Sequence, residues 1–282
     1  MSRTGAGSTG QGLAERAHEA LDRGDRRRAR RLLKSIESKA VKPEEAMDVA
    51  FLRWRLASQD DDLTAALGIA RENAVAWPDE ADLQHALGWT LLELGKPEDA
   101  LPWLEEACYL DPDFADAWYE IAQVRGTLGD TAGMRQAYAE VFSIDTAPPM
   151  PALRFSADRA EQWAQKAYDA LPEEILDRVG DVPVIVADYP EEWILEAPPW
   201  DPRLLGLFVG PTWAEAKSLS LDTADAGGLL LERPVVYIFQ RNLERVVEDP
   251  RDMAREVRIT VHHELGHYLG LDEHELAERG LG

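Results

Sequence analysis

From about Leu13 to about Ile144 the chain repeats itself every 34 residues, and a period of that length dictates architecture before any other feature is consulted. "ADLQHALGWTLLELGKPEDALPWLEEACYLDPDF" (81–114) superposes on "ADAWYEIAQVRGTLGDTAGMRQAYAEVFSIDTAP" (115–148). Gly95 falls over Gly129, Leu104 over Tyr138, and Gln84 over Trp118. Each copy is Ala- and Leu-rich with helical periodicity. A lone hairpin of this size cannot bury its apolar face, so copies must stack, and three or four are about the minimum.

Within 81–114 the positions that set the pattern are Leu87, Gly88, Leu91, Ala100, Leu104, Ala107 and Pro112. This resembles the tetratricopeptide repeat. The copy at 115–148 keeps aromatics at Trp118 and Tyr138 but has Met134 and Thr146 at the Ala and Pro points. Upstream, 47–80 keeps Ala66 and Pro78, and a degenerate copy with Gly24, Ala29 and Leu33 begins the array. Small residues let the two helices of a hairpin approach, and the Pro ends the second helix because it lacks an N–H. The resemblance implies a concave groove that binds an extended peptide or a protein partner. The alternative is an array that only stacks on the rest of the chain. The basic run "RGDRRRARR" (23–31) lies between Leu21 and Leu32 on a helical pattern, which makes it a solvated face.

Charge narrows the partners. Lys plus Arg total 30 against 53 Asp plus Glu, a net charge of −23, so nucleic acid and anionic membrane surfaces are excluded as expected partners. The one cysteine, Cys108, allows no intramolecular disulfide and fits a reducing compartment. The opening "MSRTGAGSTGQG" has no apolar core, so no signal peptide is expected. The run "LLGLFVGPTWA" (204–214) is too short and too broken by Gly and Pro to span a bilayer. A soluble, cytoplasmic protein is the expectation.

The linker "DTAPPMP" (145–151) interrupts helix propagation. The expected division is a disordered tail at 1–12, helical repeats at 13–148 and a second domain at 149–282. Beyond the linker a helix with Ser156 as N-cap presents Trp163, Ala167 and Leu171 on one face. "VPVIVAD" (182–188), "LLGLFVG" and "RPVVYIFQR" (233–241) read as strands, followed by a helix over roughly 250–269. The overall class is therefore an α-helical solenoid followed by a small α+β domain. The loop "WILEAPPW" (193–200) reads equally as a lid over a cleft or as a packed loop.

Four of the six histidines, His262, His263, His267 and His274, lie within "HHELGHYLGLDEHE" (262–275). His263-Glu264-Leu265-Gly266-His267 is an H-E-x-x-H motif. Positions i and i+4 share a helix face, so both imidazoles can reach one Zn²⁺. Glu264, beside the first His, is placed to take a proton from metal-bound water without being a ligand. Gly270 can adopt φ > 0 and end the helix, after which the chain folds back. Glu273, ten residues after His263, stands where a third ligand falls in the extended pattern, with Asp272 and His274 as alternatives. His262 is expected to face away from the metal and Tyr268 to serve packing.

"YDALPEEILDRVGDVPVIVADYP", "LLGLFVG", "RPVVYIFQRNLE" and "EVRITVHHELGHYLGLDEHEL" together resemble the small bacterial zincin-like metallopeptidases, minimal relatives of the metzincins. The resemblance implies zinc on His263 and His267, Glu264 as catalytic acid/base and an acidic third ligand. That family usually carries Asp where this chain has Glu273, and the metzincin Met-turn is absent, with no Met after residue 253. The function implied is zinc-dependent hydrolysis of peptide bonds in a peptide or protein substrate. The alternative is a repeat scaffold whose zincin-like domain is inert or structural. "VVYIFQ" is expected to offer its edge to an extended substrate, and Tyr237 and Arg241 are candidates for stabilising the oxyanion.

Overall fold

The computed structural model describes residues 10–38, 41, 45–222, 233–247 and 249–279. The chain forms two compact units, Met1–Ala147 and Pro148–Gly282. Among the described residues, no helix is long and apolar enough to cross a membrane.

The described residues of the first unit form four helical hairpins: α1 (Gly10–Asp22) with α2 (Arg26–Glu37), α3 (Ala46–Gln59) with α4 (Leu63–Ala76), α5 (Ala81–Glu93) with α6 (Pro97–Leu110), and α7 (Ala115–Thr127) with α8 (Thr131–Asp145). Helix α1 starts at Gly10, inside the segment expected to be a tail, of which residues 1–9 lie outside the described set. The small residues of the repeat pattern do what close packing demands: Ala66, Ala100, Ala107 and Ala137 are fully buried where helices meet. Cys108 is buried too, and burial pushes its thiol up to about 12, so it stays neutral and unreactive at physiological pH. The basic run lies on the outside of α2, where Arg30 pairs with Asp60.

One irregularity of the repeat has a physical explanation. Gln84 and Trp118 occupy the same repeat position despite their different chemistry. Gln84 Nε2 donates to the Pro78 carbonyl at 3.1 Å and to the Trp77 carbonyl at 3.3 Å. Trp118 Nε1 donates to the Pro112 carbonyl at 3.0 Å. Both side chains supply an N–H to the carbonyl of a proline just past the end of the preceding helix, Pro78 or Pro112. Gln84 is 2% exposed. Gln84→Leu is expected to destabilise the array by about 1–3 kcal/mol through the loss of that donor, read as a lower urea midpoint at unchanged slope. A variant as stable as the wild type would refute this role.

The second unit carries α9 (Ala157–Asp169), α10 (Glu173–Val179), β1 (Val184–Ala187), a 3₁₀ turn (Glu192–Leu195), β2 (Gly206–Val209), α11 (Trp213–Asp222), β3 (Val235–Phe239), α12 (Gln240–Val246), α13 (Met253–Tyr268) and α14 (Glu273–Glu278). Ser156 stands just before α9 with an extended backbone, but its side chain makes no capping hydrogen bond. The sheet order is β1-β3-β2, with β1 parallel and β2 antiparallel to β3. Ala164 and Ala167 of α9, Val236 and Ile238 of β3, and Met253, Val257, Val261 and Leu265 of α13 form one core. This core anchors α13, and α13 carries the histidines.

The strand order corrects one expectation. β3, the "VVYIFQ" strand, is central, and its backbone groups are engaged on both sides. It has no edge for a substrate. In the "WILEAPPW" loop, Ile194 is 1% exposed and holds the segment by packing.

Candidate metal centre

The candidate site is built on a face of α13 turned away from its core residues. With Val257, Val261 and Leu265 turned inward, His263 and His267, one turn apart, face outward together. Their Nε2 atoms are 3.0 Å apart. His267 Nδ1 lies 3.1 Å from the Leu271 carbonyl, which takes the ring N–H there and leaves the Nε2 lone pair for the cluster. His262, one residue earlier, turns a quarter of the way round the helix and places Nε2 2.9 Å from the Ala167 carbonyl on α9. Tyr268 packs edge-on to Phe208 at 5.7 Å between ring centroids.

The third group arrives by a reversal of the chain. Gly270, with φ of 87°, ends α13, and Leu271 N–H donates to the Gly266 carbonyl at 3.0 Å. Helix α14 then folds back on α13. The approach is close because Gly266 has no side chain: a Cβ there would run into the fully buried Leu276. The reversal brings Glu273, at the start of α14, to the imidazoles. Its Oε1 is 3.3 Å from His267 Nε2 and its Oε2 3.7 Å from His263 Nε2.

The two alternatives are occupied elsewhere. The Asp272 carboxylate caps α14, accepting from Glu275 N–H at 2.8 Å, while Glu275 accepts from Asp272 N–H at 3.0 Å. His274 is 82% exposed at its side chain and lies 3.5 Å from Glu278. Among the described residues, His263, His267 and Glu273 are the only group of three or more His, Cys, Asp or Glu side chains close enough to share a metal ion, with donor atoms all within 4.8 Å.

The donor set fits zinc. Two imidazole nitrogens and one carboxylate leave a fourth tetrahedral position open, as in catalytic zinc sites. Two donors each ~2.0–2.1 Å from one Zn²⁺ at a tetrahedral angle stand about 3.3 Å apart, close to the spacings found here. Unprotonated ring nitrogens held 3.0 Å apart repel each other unless a proton or a cation lies between them.

Glu264 sits beside this cluster and is 7% exposed. Its Oε2 accepts from Phe208 N–H of β2 at 2.8 Å. Burial raises its carboxyl above the ordinary range; the His263 and His267 charges and the Phe208 N–H pull the other way without cancelling it. Gly206 gives it room. A Cβ at Gly206 would stand 2.7 Å from Thr260 Cγ2, 2.8 Å from Glu264 Cγ and 3.0 Å from Glu264 Oε1.

Sequence reasoning passed over Gly206, Phe208, Thr260 and Gly266. A glycine inside a helix costs ~1 kcal/mol relative to alanine, so Gly266 alone carried a readable signal of close packing. Of the two oxyanion candidates, Arg241 is committed to Asp188 at 3.2 Å and to the Pro151 carbonyl at 2.6 Å. Tyr237 lies beside Phe239 and Trp193.

Residues 179–281 match the family model described as zincin-like metallopeptidase, and residues 81–114 and 115–148 each match the tetratricopeptide repeat. No curated protein matches the chain. Similar solved structures include a crystal structure of MamA, 19% identical with a TM-score of 0.39, over 45% of this chain and 73% of that one. Another is a tetratricopeptide repeat protein from Parabacteroides merdae, 14% identical with a TM-score of 0.42, over 96% and 97% of the two chains. An O-GlcNAc transferase from Thermobaculum terrenum is 18% identical with a TM-score of 0.46, over 69% of this chain and 40% of that one. The periodic helices and the histidine-bearing helix thus belong to different modules: the chain carries tetratricopeptide repeats over 81–148 and a zincin-like metallopeptidase domain over 179–281.

Proposed function

We propose that this protein is a zinc-dependent peptidase in which His263, His267 and Glu273 hold the metal and Glu264 is the general base. The repeat array docks a substrate or partner protein. The observation that carries the reading is the convergence of two imidazoles and a carboxylate beside a buried glutamate fixed to a strand. When bound, zinc supplies Lewis acidity and lowers the pKa of water at the site to about 7.

The chain's own residues do the rest. Phe208 N–H holds one oxygen of Glu264, leaving the other to accept a proton from water and later to pass it to the leaving amine. Burial raises its affinity for protons, which favours the uptake step. The Leu271 carbonyl fixes the His267 ring, so its Nε2 stays turned to the metal position.

Strand β2 orients the substrate. Phe239 N–H donates to the Leu205 carbonyl, so alternation turns the peptide groups of Gly206 and Phe208 away from β3. An extended peptide added along that edge meets the Gly206 peptide group and the Phe208 carbonyl, the Phe208 N–H being held by Glu264, and passes beside that carboxylate. The single buried cysteine and the acidic surface suit work in the cytoplasm.

Metal analysis of the purified chain is expected to give close to one zinc per molecule. A peptide library exposed to the zinc-loaded protein is expected to yield new termini by mass spectrometry. A zinc-loaded chain that leaves the library intact would overturn the peptidase reading, and a chain that takes up no zinc would overturn the metal site as well.

A further inference from the structure

On the first helices of three successive repeats, three positions recur at 34-residue intervals. Asp48, Asp82 and Asp116 lie in the first turn, Phe51, His85 and Tyr119 three residues on, and Arg55, Trp89 and Gln123 four residues after those. Steps of three and four residues put each trio on one helix face. All nine side chains are half-buried or exposed, whereas Leu52, Leu83, Ala86, Ala117 and Ile121 on the same helices are buried. The face carrying these rows is the open one.

Between α5 and α7 it deepens into a cleft of about 540 Å³. Trp89, Leu92 and Val124 supply its apolar surface, and Glu93 and Glu120 its charge. No Lys or Arg is among its lining residues; Lys96, in the turn beside it, is exposed. Glu120 is drawn inward, 3.0 Å from His85 Nε2, with 15% of its side chain exposed. Arg125, next to Val124 on α7, is tied to Glu105 at 2.8 Å, and Arg55, on α3, to Asp22 at 2.6 Å.

An indole wall, an aliphatic floor and two carboxylates match one side chain best. Arginine has a planar cation that stacks on aromatic rings and pairs with carboxylates, on an apolar stem that covers the floor. Lysine's compact, strongly hydrated ammonium uses the carboxylates but not the indole plane as well. A net charge of −23 favours encounter with a basic chain.

We propose that the cleft between α5 and α7 docks an arginine side chain of an extended, basic segment of another protein. This rests on reading the repeats as a docking array.

The test is a positional-scanning library of blocked decapeptides, each position fixed in turn as Arg, Lys, Gln, Glu or Leu. It is presented to the full chain in a Glu264→Gln background so that peptides survive. The expected result is one position at which Arg is preferred over Gln by about tenfold or more, with Lys between them. Trp89→Leu and Glu120→Gln should each erase that preference at unchanged helix content. Glu93→Gln, at an exposed residue, should weaken it and flatten its salt dependence. Should Glu120→Gln fail to fold, Trp89→Leu and Glu93→Gln decide the matter.

A preference for Glu or Leu at every selective position would overturn the arginine assignment and leave docking intact. So would an Arg preference that survives these substitutions. A library with no positional preference would remove the docking role itself. Concentration-dependent dimers that Trp89→Leu abolishes would show that the cleft takes a second copy of this chain, which also overturns the proposal.

Discussion

Glutamine in place of Glu264 is expected to lower kcat by about 10²–10⁴-fold while leaving zinc content unchanged. The amide has the carboxylate's shape, so its oxygen can still accept from Phe208 N–H and its stem still fits against Gly206. What it loses is the capacity to take a proton. The zinc ligands proposed here do not include Glu264, which is why metal analysis and turnover should separate in this variant. Wild type and Glu264→Gln cleaving at the same rate would sink the assignment of the base.

A stability measurement adds a second reading of the same residue. Burial holds the Glu264 carboxyl above the ordinary carboxylate range, so the metal-free fold binds more protons there than the unfolded chain does. That contribution is present below the ordinary range and is lost as pH rises through the raised value. Glutamine has no such loss. The melting temperature of the metal-free variant relative to wild type should therefore climb from acid toward neutral pH.

Alanine at Gly206 is expected to reduce kcat by about 10²-fold, with KM and zinc content close to wild type. Its new Cβ meets Glu264 Cγ at 2.8 Å and Thr260 Cγ2 at 2.7 Å, closer than carbon atoms tolerate. Both side chains are buried and hydrogen-bonded, but the β-branched Thr260 has one stiff torsion and the glutamate several, so the glutamate is the partner that shifts. Displacing a general base by about 1 Å is enough for a loss of that size. The sign of the stability change separates this from an ordinary strand effect. Gly→Ala inside a strand normally stabilises by roughly 0.5–1 kcal/mol, whereas overpacking costs about 1–3 kcal/mol. A variant that melts higher and keeps full activity would show that Gly206 has no part in seating Glu264.

The repeat array was the most legible part of the chain, because its signal is periodic. Leu87 and Leu104 state the same packing rule that Ile121 and Tyr138 state one period later. The exchange of Gln84 for Trp118 was visible as a mismatch, but its meaning needed the carbonyls of Pro78 and Pro112. In the second unit, β-branched runs marked the strands but not their order. Neighbour choice depends on how α9 and α13 pack across the sheet. The edge strand was therefore misplaced by one position in the sheet.

The sequence by itself determined what local geometry controls: the 34-residue helical hairpins, the pair His263 and His267 on one face of α13, the adjacent carboxylate of Glu264, and the stop at Gly270. Tertiary structure alone decided which acidic or imidazole group joins them, since Glu273 reaches the pair only because α14 packs over Gly266 while Asp272 is spent on a cap. It alone decided the seat of Glu264, whose partner Phe208 lies 56 residues away. Contacts across such separations follow no short period, so they leave no repeating mark in the order of the residues and exist only once the core has closed.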